Sequence, residues 1–407
     1  MARLAGGKKV SYLLNAFPKL SETFILNEIW ELRKKGVSVF VAAVGRSNEK
    51  IVHAKAEAIA NEVRYVGELC RKRKLENVML AGFLHPLRLI QTAAFIRNRY
   101  KKGKRWKLQQ ALYLGGELIR NGVKHVHAHF AMEAAEQAML ASLSTGIPYS
   151  MHPHALDIYV RPRMLKDKMR YAKFVSTECE FSKRYLLDFF PGYPGERIFV
   201  IRLGIDMDMF TPKKKKTLEP GMKNGLSILS VARLVEKKGM IFLLEAVKKL
   251  SGDGIRVKAT IVGEGPEYER LSTFITQNRL DGVVDLKGPR TADYVKNLFD
   301  TNDVFVLPCI VAKNGDQDAT PTAIMEAMAM KVPVISTRVA GIPEIISDGC
   351  GFVIPEKDSN SLTAAIKKVA QMSDSERKTL GEAGRKFVAA NCNIRIQGDK
   401  LVDLFED

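Results

Sequence analysis

Two doubly wound α/β domains facing a common cleft are the fold that this 407-residue sequence predicts. A chain of this length exceeds one ordinary hydrophobic core. Short apolar runs alternate with longer helical patterns in both halves, which is typical of parallel sheets covered by helices. Between the halves, residues 209–225 are rich in Pro, Gly and Lys and lack apolar periodicity. That composition predicts a linker.

The individual elements follow from the apolar runs. In the first half we expect strands at residues 10–15, 37–44, 125–130 and 149–151. In the second half we expect strands at residues 227–231, 258–262, 283–286, 304–307, 332–336 and 351–354. Helical patterns, beginning with residues 22–35, separate most of these strands. The predicted domains are therefore residues 1–208 and 226–386, and ligands of such folds bind at the carboxyl ends of the strands.

The composition is that of a globular protein. Hydrophobic residues make up 46% and charged residues 27%. No segment has the ~18 uninterrupted apolar residues that a membrane span needs, and the N-terminus lacks a signal-peptide core. Five scattered cysteines form no Cys-x-x-Cys pair. We therefore expect a cytoplasmic protein with reduced thiols and no zinc site.

The net charge of +19 is concentrated in the first half. One basic cluster is residues 71–74, and a second, which includes Tyr100 and Trp106, comprises Arg97, Arg99, Lys101, Lys102, Lys104, Arg105 and Lys107. Apolar stretches lie close by at residues 78–84 and 89–96. Basic residues beside an amphipathic helix suit an anionic membrane surface, and a solvated helix face explains them equally well. Nucleic acid is not an expected partner, because no RNA-binding aromatic motif or helix-turn-helix is present.

Two carboxylates flank a predicted helix start in the second half. Residues 318–326 read Asp-Ala-Thr-Pro-Thr-Ala-Ile-Met-Glu, and Pro321 suits the first helical position because it has no N–H to leave unbonded. Free amides at a helix start can hold a phosphate while nearby acids bind hydroxyls. Asp318 and Glu326 therefore predict a site for a sugar nucleotide.

A basic loop follows an earlier strand of the same half. The strand ends at Val231, and Arg233 and Lys238 lie between it and the next helix. Two cations at the carboxyl end of a strand can bind a diphosphate and stabilise the charge of a departing nucleotide. After the following strand, Gly263 and Gly265 allow the backbone to pass close to a ligand. They do not complete a Gly-x-Gly-x-x-Gly fingerprint.

These segments resemble the family-4 glycosyltransferases, which have the GT-B fold, and in particular the exopolysaccharide and colanic-acid subgroup. Residues 318–326 resemble the acidic-x7-Glu motif, with Asp in place of the usual first Glu, and residues 233–238 resemble the Arg-x4-Lys pair. In the first half, residues 17–24 are similar to Phe-Pro-x-x-Ser-Glu-Thr-Phe, and residues 154–157 to His-x-x-Asp. The likeness extends from about residue 12 to 387, and residues 387–407 would then be a helix that crosses back to the first domain.

The resemblance implies a retaining glycosyltransferase that moves a sugar from a UDP- or GDP-linked donor to a glycan or lipid-linked acceptor in cell-surface polysaccharide synthesis. It implies that Glu326 holds the ribose hydroxyls, Asp318 the sugar hydroxyls and His154 the donor sugar. Arg233 and Lys238 would stabilise the leaving diphosphate, so neither a metal nor a cofactor is expected. Further donor contacts would come from Ser21, Thr23, Gly263, Gly265, Ala319, Thr320 and Pro289.

Other interpretations stay open at this point. A nucleotide-sugar epimerase or phosphorylase could share the fold, and a non-catalytic protein bound to a membrane or to nucleic acid could have kept it. His125, His127 and His129 alternate along a strand and so share one face. They predict no metal site, because no carboxylate lies at ligand spacing. The joint presence of Arg233 and Lys238 with the two acids favours the enzyme. If its basic helices bind lipid, we expect it to be peripheral on the inner face of the plasma membrane.

Overall fold

The computed structural model describes residues 9–19, 22–48, 54–68, 76–77, 79–80, 85–213, 225–347 and 349–407. Ser21, the basic run 71–74 and most of the apolar stretch 78–84 lie outside the described residues, as does the linker from 214 to 224. The chain divides into two compact units. The first comprises residues 1–178, 183–204 and 397–407, and the second comprises residues 179–182 and 205–396.

The first unit is built on a seven-stranded parallel sheet. Its strands are β1 (Lys9–Phe17), β2 (Val39–Arg46), β3 (Arg64–Tyr65), β4 (Val123–His129), β5 (Tyr149–His152), β6 (Val175–Thr177) and β7 (Ile198–Val200). They lie in the order β3-β2-β1-β4-β5-β6-β7, and every adjacent pair is parallel. The order reverses between β1 and β4, which is the position where doubly wound folds bind their ligands.

Helices cover both faces of this sheet. They are α1 (Thr23–Lys34), α2 (Ala54–Ile59), α3 (Pro86–Arg99), α4 (Lys104–Arg120), α5 (Glu133–Thr145), α6 (Leu165–Tyr171) and α7 (Glu180–Phe189), with one π-helical turn at Leu156–Val160. Alternate residues of β1 enter two separate cores. Val10 and Tyr12 pack in the core that contains Ile29 of α1, whereas Leu13 packs in the core that contains Leu140 of α5.

The second unit is built on a six-stranded parallel sheet. Its strands are β8 (Leu226–Val231), β9 (Val257–Val262), β10 (Val284–Leu286), β11 (Val304–Leu307), β12 (Val334–Thr337) and β13 (Gly351–Ile354), in the order β10-β9-β8-β11-β12-β13. Its helices are α8 (Met240–Gly252), α9 (Tyr268–Gln277), α10 (Ala292–Phe299), α11 (Thr322–Ala329), α12 (Ile342–Ile345), α13 (Ser359–Gln371) and α14 (Asp374–Asn391). Strand order reverses here between β8 and β11.

The last helix, α15 (Ile394–Glu406), places most of its length in the first unit. Leu401 and Phe405 are buried in the same core as Tyr12 and Ile29. None of the described helices is both long enough and apolar enough to cross a membrane. Two doubly wound parallel α/β units confirm the predicted fold class.

Candidate active site

The predicted basic and acidic loops of the second unit follow strands that lie side by side. Arg233 and Lys238 lie between β8 and α8, and Asp318 lies between β11 and α11. β8 and β11 are neighbours at the point where the strand order reverses. Because their carboxyl ends share one edge of the sheet, the fold itself brings these charged side chains together.

Two lysines bind one aspartate at this edge. The Lys238 ammonium contacts the Asp318 carboxylate, and the Nζ of Lys237 lies 3.0 Å from the other Asp318 oxygen. Lys237 Nζ also lies 3.0 Å from an Oδ1 of Asp316. Burial alone would raise the pKa of Asp318, but the positive charges of Lys238 and Lys237 outweigh it and hold that pKa well below its usual range. The site thus has an aspartate that is ionised at neutral pH and contacts two ammonium groups.

Lys237 and Asp316 did not enter the sequence prediction. Both stand beside predicted site residues, Lys237 before Lys238 and Asp316 two positions before Asp318. Burial would lower the pKa of Lys237, but the Asp318 and Asp316 carboxylates raise it. The sequence does contain a signal for this pair. Two lysines follow one strand and two aspartates follow another, and parallel strands bring such ends together.

Arg233 differs from the two lysines. Its side chain is exposed, and within the part of the chain that the structure describes it makes no hydrogen bond or ion pair. The same loop ends at Gly239, whose φ is +63°, and a Cβ there would lie 2.0 Å from the carbonyl oxygen of Pro308. Only glycine permits that approach of the two loops. Among the described residues the Arg233 guanidinium is therefore an unpaired cation, and it belongs to the loop that carries Lys237 and Lys238.

The start of α11 offers free backbone donors. Pro321 occupies the N-cap position, one residue earlier than predicted, and the helix begins at Thr322 without a side-chain cap. The first amides of a helix have no intrahelical acceptor. Ala319 and Thr320 are buried just before the helix, and among the described residues the Thr320 hydroxyl has no hydrogen-bond partner. These groups can bind an anion such as a phosphate.

Glu326 lies one turn further along α11. It is partly buried, and its carboxylate makes no hydrogen bond or ion pair with any residue that the structure describes. Burial raises the pKa of Glu326 to about 7. A carboxylate held without protein donors can accept hydrogen bonds from the hydroxyls of a ligand.

The backbone conformation itself requires the two glycines that follow β9. Gly263 and Gly265 have φ values of +147° and +152°, and Cβ atoms there would lie 1.8 Å and 2.3 Å from the carbonyl oxygens of Ala232 and Leu234. They therefore allow the loop after β9 to lie against the loop that carries Arg233. Pro289 follows β10, and the carbonyl before it, of residue 288, accepts the Gly263 amide at 3.0 Å. Contact of these residues with a donor stays a prediction.

The first unit carries a buried group of histidines on β4 and β5. His125, His127 and His129 are buried, and the rings of the latter two are 5.1 Å apart. Sequence spacing did not reveal the carboxylate that lies beside them. Glu28 of α1 places Oε1 3.0 Å from His129 Nε2, and a separation of 101 residues hid that contact from any spacing argument. Ligand atoms of Glu28, His127 and His129 all lie within 4.8 Å of one another.

His154 lies in the loop after β5. Its Nε2 is 3.3 Å from Nδ1 of His129, and its backbone N–H donates to Asp157 Oδ2 at 3.0 Å. The same Asp157 oxygen accepts the amide of Ala131. Burial raises the pKa of Asp157 to about 6, against the opposing effect of these backbone donors. In this chain the His-x-x-Asp spacing therefore closes the loop that orients His154.

The start of α1 differs from the prediction. The helix begins at Thr23, and Glu22 occupies the N-cap position without a side-chain capping hydrogen bond. Ser21 lies outside the described residues, so its contact with a donor stays a prediction. Thr23 lies in the first turn of α1, which follows β1. Its contact with a donor stays a prediction.

Two family models match this chain. Glycosyltransferase Family 4 matches residues 21–209, and Glycosyl transferases group 1 matches residues 211–387. The putative colanic acid biosynthesis glycosyltransferase WcaL of Salmonella typhimurium is 31% identical over 98% of this chain and 99% of its own length. The amylovoran biosynthesis glycosyltransferase AmsK of Erwinia amylovora is 28% identical over 98% and 99%.

Solved structures share the fold at lower identity. A glycosyltransferase from Rickettsia africae superimposes with a TM-score of 0.71 at 18% identity, covering 98% of both chains. Anabaena HepE, solved in complex with UDP, has a TM-score of 0.72 at 16% identity and covers 98% of this chain and 99% of its own.

Proposed function

Since this chain belongs to glycosyltransferase family 4 and is a glycosyltransferase with the predicted GT-B fold, we propose that it moves a sugar from a nucleotide-sugar donor to a glycan or lipid-linked acceptor in exopolysaccharide synthesis. The names of WcaL and AmsK support the pathway class. The complexes of HepE with UDP and UDP-glucose support a nucleotide-sugar donor. UDP- and GDP-linked donors are both candidates.

One observation carries the proposal: opposite charges meet at the ligand-binding edge of the second sheet. Arg233 and Lys238 supply positive charge for a diphosphate, and the amides at the start of α11 supply further donors. Glu326 would accept the ribose hydroxyls and Asp318 the sugar hydroxyls. From the first unit we assign His154 to the donor sugar.

The chemistry follows from where charge develops. As the bond between the sugar C1 and the diphosphate oxygen breaks, negative charge grows on the leaving oxygen, and preorganised cations stabilise it. The acceptor oxygen then bonds to C1 on the same face, and its proton passes to the leaving oxygen. That course retains the anomeric configuration without a protein nucleophile. Arg233 and Lys238 supply the positive charge, so the proposal includes no metal or cofactor.

Calorimetric titration with UDP, GDP and ADP in metal-free buffer tests the donor site. We expect one nucleotide to bind well and its affinity to fall at least about tenfold in Arg233→Ala, because a hydrogen bond to a charged group contributes about 1.5–3 kcal/mol. Glu326→Ala is expected to weaken binding similarly through the lost ribose contact.

A matched arginine controls for net charge. Arg256 is also exposed but precedes β9, at the opposite end of the strands, so Arg256→Ala is expected to bind as the wild type does. Failure of the folded wild type to bind any of the three nucleotides would contradict the donor-site assignment. Equal losses of affinity in Arg256→Ala and Arg233→Ala would show that the effect depends only on the net charge of the protein.

We also propose that α3 and α4 bind the inner face of the plasma membrane from the cytoplasm. Leu87 and Ile90 of α3 are 74% and 65% exposed, and Trp106 of α4 is 47% exposed. Arg97, Arg99, Lys101, Lys102, Lys104 and Arg105 are exposed on the same two helices or between them. Exposed apolar side chains beside cations suit an anionic lipid surface.

Cosedimentation with vesicles tests this surface. Vesicles of phosphatidylethanolamine and phosphatidylglycerol are expected to bind the protein, and Leu87→Ser combined with Ile90→Ser should weaken binding about tenfold or more, since burial of each side chain contributes about 1.5–3 kcal/mol. Ile396→Ser, which alters an exposed residue of α15, serves as the control. Binding that survives in the double variant, or that is equal on phosphatidylcholine alone, would contradict the proposal.

A further inference from the structure

Two histidines and a glutamate meet in the interior of the first unit. His127 and His129 lie on β4, and Glu28 lies on α1. One ligand atom from each of the three residues lies within 4.8 Å of the other two, and Glu28 Oε1 is 3.0 Å from Nε2 of His129. Both histidines are fully buried and Glu28 is mostly buried. The sheet and the helix that covers it thus bring three groups that can bind a metal to one place.

His127 has a buried nitrogen that no described protein group satisfies. Its Nδ1 lies 2.7 Å from Ser150 Oγ, whereas its Nε2 is buried and has no hydrogen-bond partner among the residues that the structure describes. The rings of Tyr12, Phe174 and Phe405 pack around it. Buried polar atoms are nearly always paired, because an unpaired one destabilises the fold. Nε2 is therefore the nitrogen of His127 that is open to a ligand.

We propose that Glu28, His127 and His129 form a binding site for one divalent transition-metal ion such as zinc. Its ligands are Nε2 of His127, Nε2 of His129 and a carboxylate oxygen of Glu28. Two histidines and a glutamate are an established ligand set for zinc, in which a water takes the fourth position. Calcium and magnesium do not suit the site, because both prefer oxygen ligands.

The neighbours of these ligands hold them in place. The Tyr12 hydroxyl donates to Glu28 Oε1 at 2.5 Å, and Ser150 Oγ contacts the other ring nitrogen of His127. A histidine that binds a metal usually makes a hydrogen bond through its second nitrogen, which fixes the orientation of the ring, and a carboxylate that binds a metal is itself hydrogen-bonded. Tyr12 and Ser150 provide these outer contacts.

A hydrogen bond between Glu28 and His129 explains less of this geometry. A proton on Nε2 of His129 would satisfy the carboxylate but leave Nε2 of His127 without a partner. A metal ion binds all three groups at once. Because it joins β4 to α1, we expect the ion to stabilise the first unit, and the sugar transfer proposed above does not require it.

Metal analysis of the purified chain tests the site. Produced without a histidine tag in medium that contains zinc, the wild type is expected to hold about one equivalent, and protein stripped with a chelator should rebind about one equivalent. Glu28→Gln and His127→Asn should each weaken zinc binding by about a hundredfold or more, since loss of an outer contact alone weakens it about tenfold to a hundredfold. His125→Asn is the matched control. His125 is equally buried on the same strand but is not one of the three ligands, so this variant should keep its zinc.

Thermal unfolding followed by tryptophan fluorescence provides the second measurement. Both tryptophans of the chain, Trp30 and Trp106, belong to the unit that contains the site. At a free zinc concentration about a hundredfold above the dissociation constant, we expect the Tm of the stripped wild type to rise by about 5–10 °C. At the same zinc concentration the Tm of His127→Asn should change little.

Absence of any transition metal from the purified wild type, together with no zinc uptake by the stripped protein, would overturn the proposal even if no variant folds. Equal zinc binding by the wild type, Glu28→Gln and His127→Asn would also overturn it, because the zinc would then bind elsewhere. Zinc binding that leaves the Tm of the wild type unchanged would do the same, since an ion bound only by the folded core must stabilise it. None of these measurements involves a sugar donor, so the proposal is independent of the transferase assignment.

Discussion

Replacement of Lys238 with methionine is expected to lower the rate constant for sugar transfer by about a hundredfold to a thousandfold, the range seen when one group that stabilises transition-state charge is removed. The Lys238 ammonium stands at the edge of the sheet where the diphosphate would bind, and it contacts Asp318. Arrival of a diphosphate gives this ammonium a second anionic partner. Its charge then stabilises the leaving oxygen most strongly when the glycosidic bond is breaking.

The neighbouring lysine should behave differently. Lys237 is more buried and bonds to both Asp316 and Asp318, so Lys237→Met is expected to lower the free energy of unfolding by about 1–3 kcal/mol, because the Asp316 carboxylate loses its cation. Its effect on kcat should be the smaller of the two. Lys258→Met, on the exposed side of β9, is the control for charge alone. Initial rates and chemical denaturation of all three variants separate these effects.

A kcat within about threefold of the wild type in Lys238→Met would contradict the role given to this ammonium, since transition-state stabilisation should change the rate rather than only KM. The reverse order, with Lys237→Met slower than Lys238→Met, would make Lys237 the residue that binds the leaving group. Lys238→Arg keeps the charge and is expected to retain more activity than Lys238→Met.

The sequence could predict those site residues that lie in loops after strands. Arg233 and Lys238 lie between one strand and the next helix, Asp318 lies in the loop after another strand, and parallel strands bring such loops to one edge. The structure places them there. The sequence could not show that Lys237 shares Asp318, because the pairing depends on how closely two loops approach. That approach is set by Gly239 against the carbonyl of Pro308.

The strands that the sequence missed are short. β3 has two residues, and β6 and β7 have three each, which is too few for a period-two pattern to stand out from a helix or a loop. β11 and β13, which are four-residue apolar runs, match their predicted bounds. Glu28 was missed for another reason. It reads as one acid on an amphipathic helix, and only tertiary packing brings it to His129.

Glu326→Gln is expected to stabilise the second unit while it weakens nucleotide binding. Burial without a partner raises the pKa of Glu326 to about 7 in the folded protein, whereas the unfolded chain has an ordinary value near 4.5. Ionising the folded group therefore costs free energy, and glutamine avoids that cost. Because Glu326 is partly rather than fully buried, we expect the free energy of unfolding to rise by about 1–3 kcal/mol at about pH 8.

The sign of the pH dependence follows from proton binding. Between the ordinary pKa and about 7, the folded state holds a proton at Glu326 that the unfolded state has lost, so the wild type loses stability as pH rises through this window. Glutamine does not titrate, so Glu326→Gln lacks this pH dependence of stability. The difference in unfolding free energy between Glu326→Gln and the wild type should vanish at about pH 4.5 and reach its full value above about pH 7. Denaturant unfolding at both pH values measures it.

Nucleotide binding should show the opposite response, because the ribose hydroxyls need the ionised carboxylate. Affinity of the wild type for its nucleotide is expected to rise about tenfold between about pH 6 and about pH 8 as Glu326 loses its proton. The phosphate of the nucleotide also titrates in this range, so the 2′,3′-dideoxynucleotide, which lacks the two hydroxyls, provides the baseline. Its affinity and that of Glu326→Gln for the full nucleotide should follow one shallower curve. If the affinity of the wild type follows a pH curve parallel to that baseline, Glu326 does not bind the ribose hydroxyls. That result would contradict the role proposed for its carboxylate.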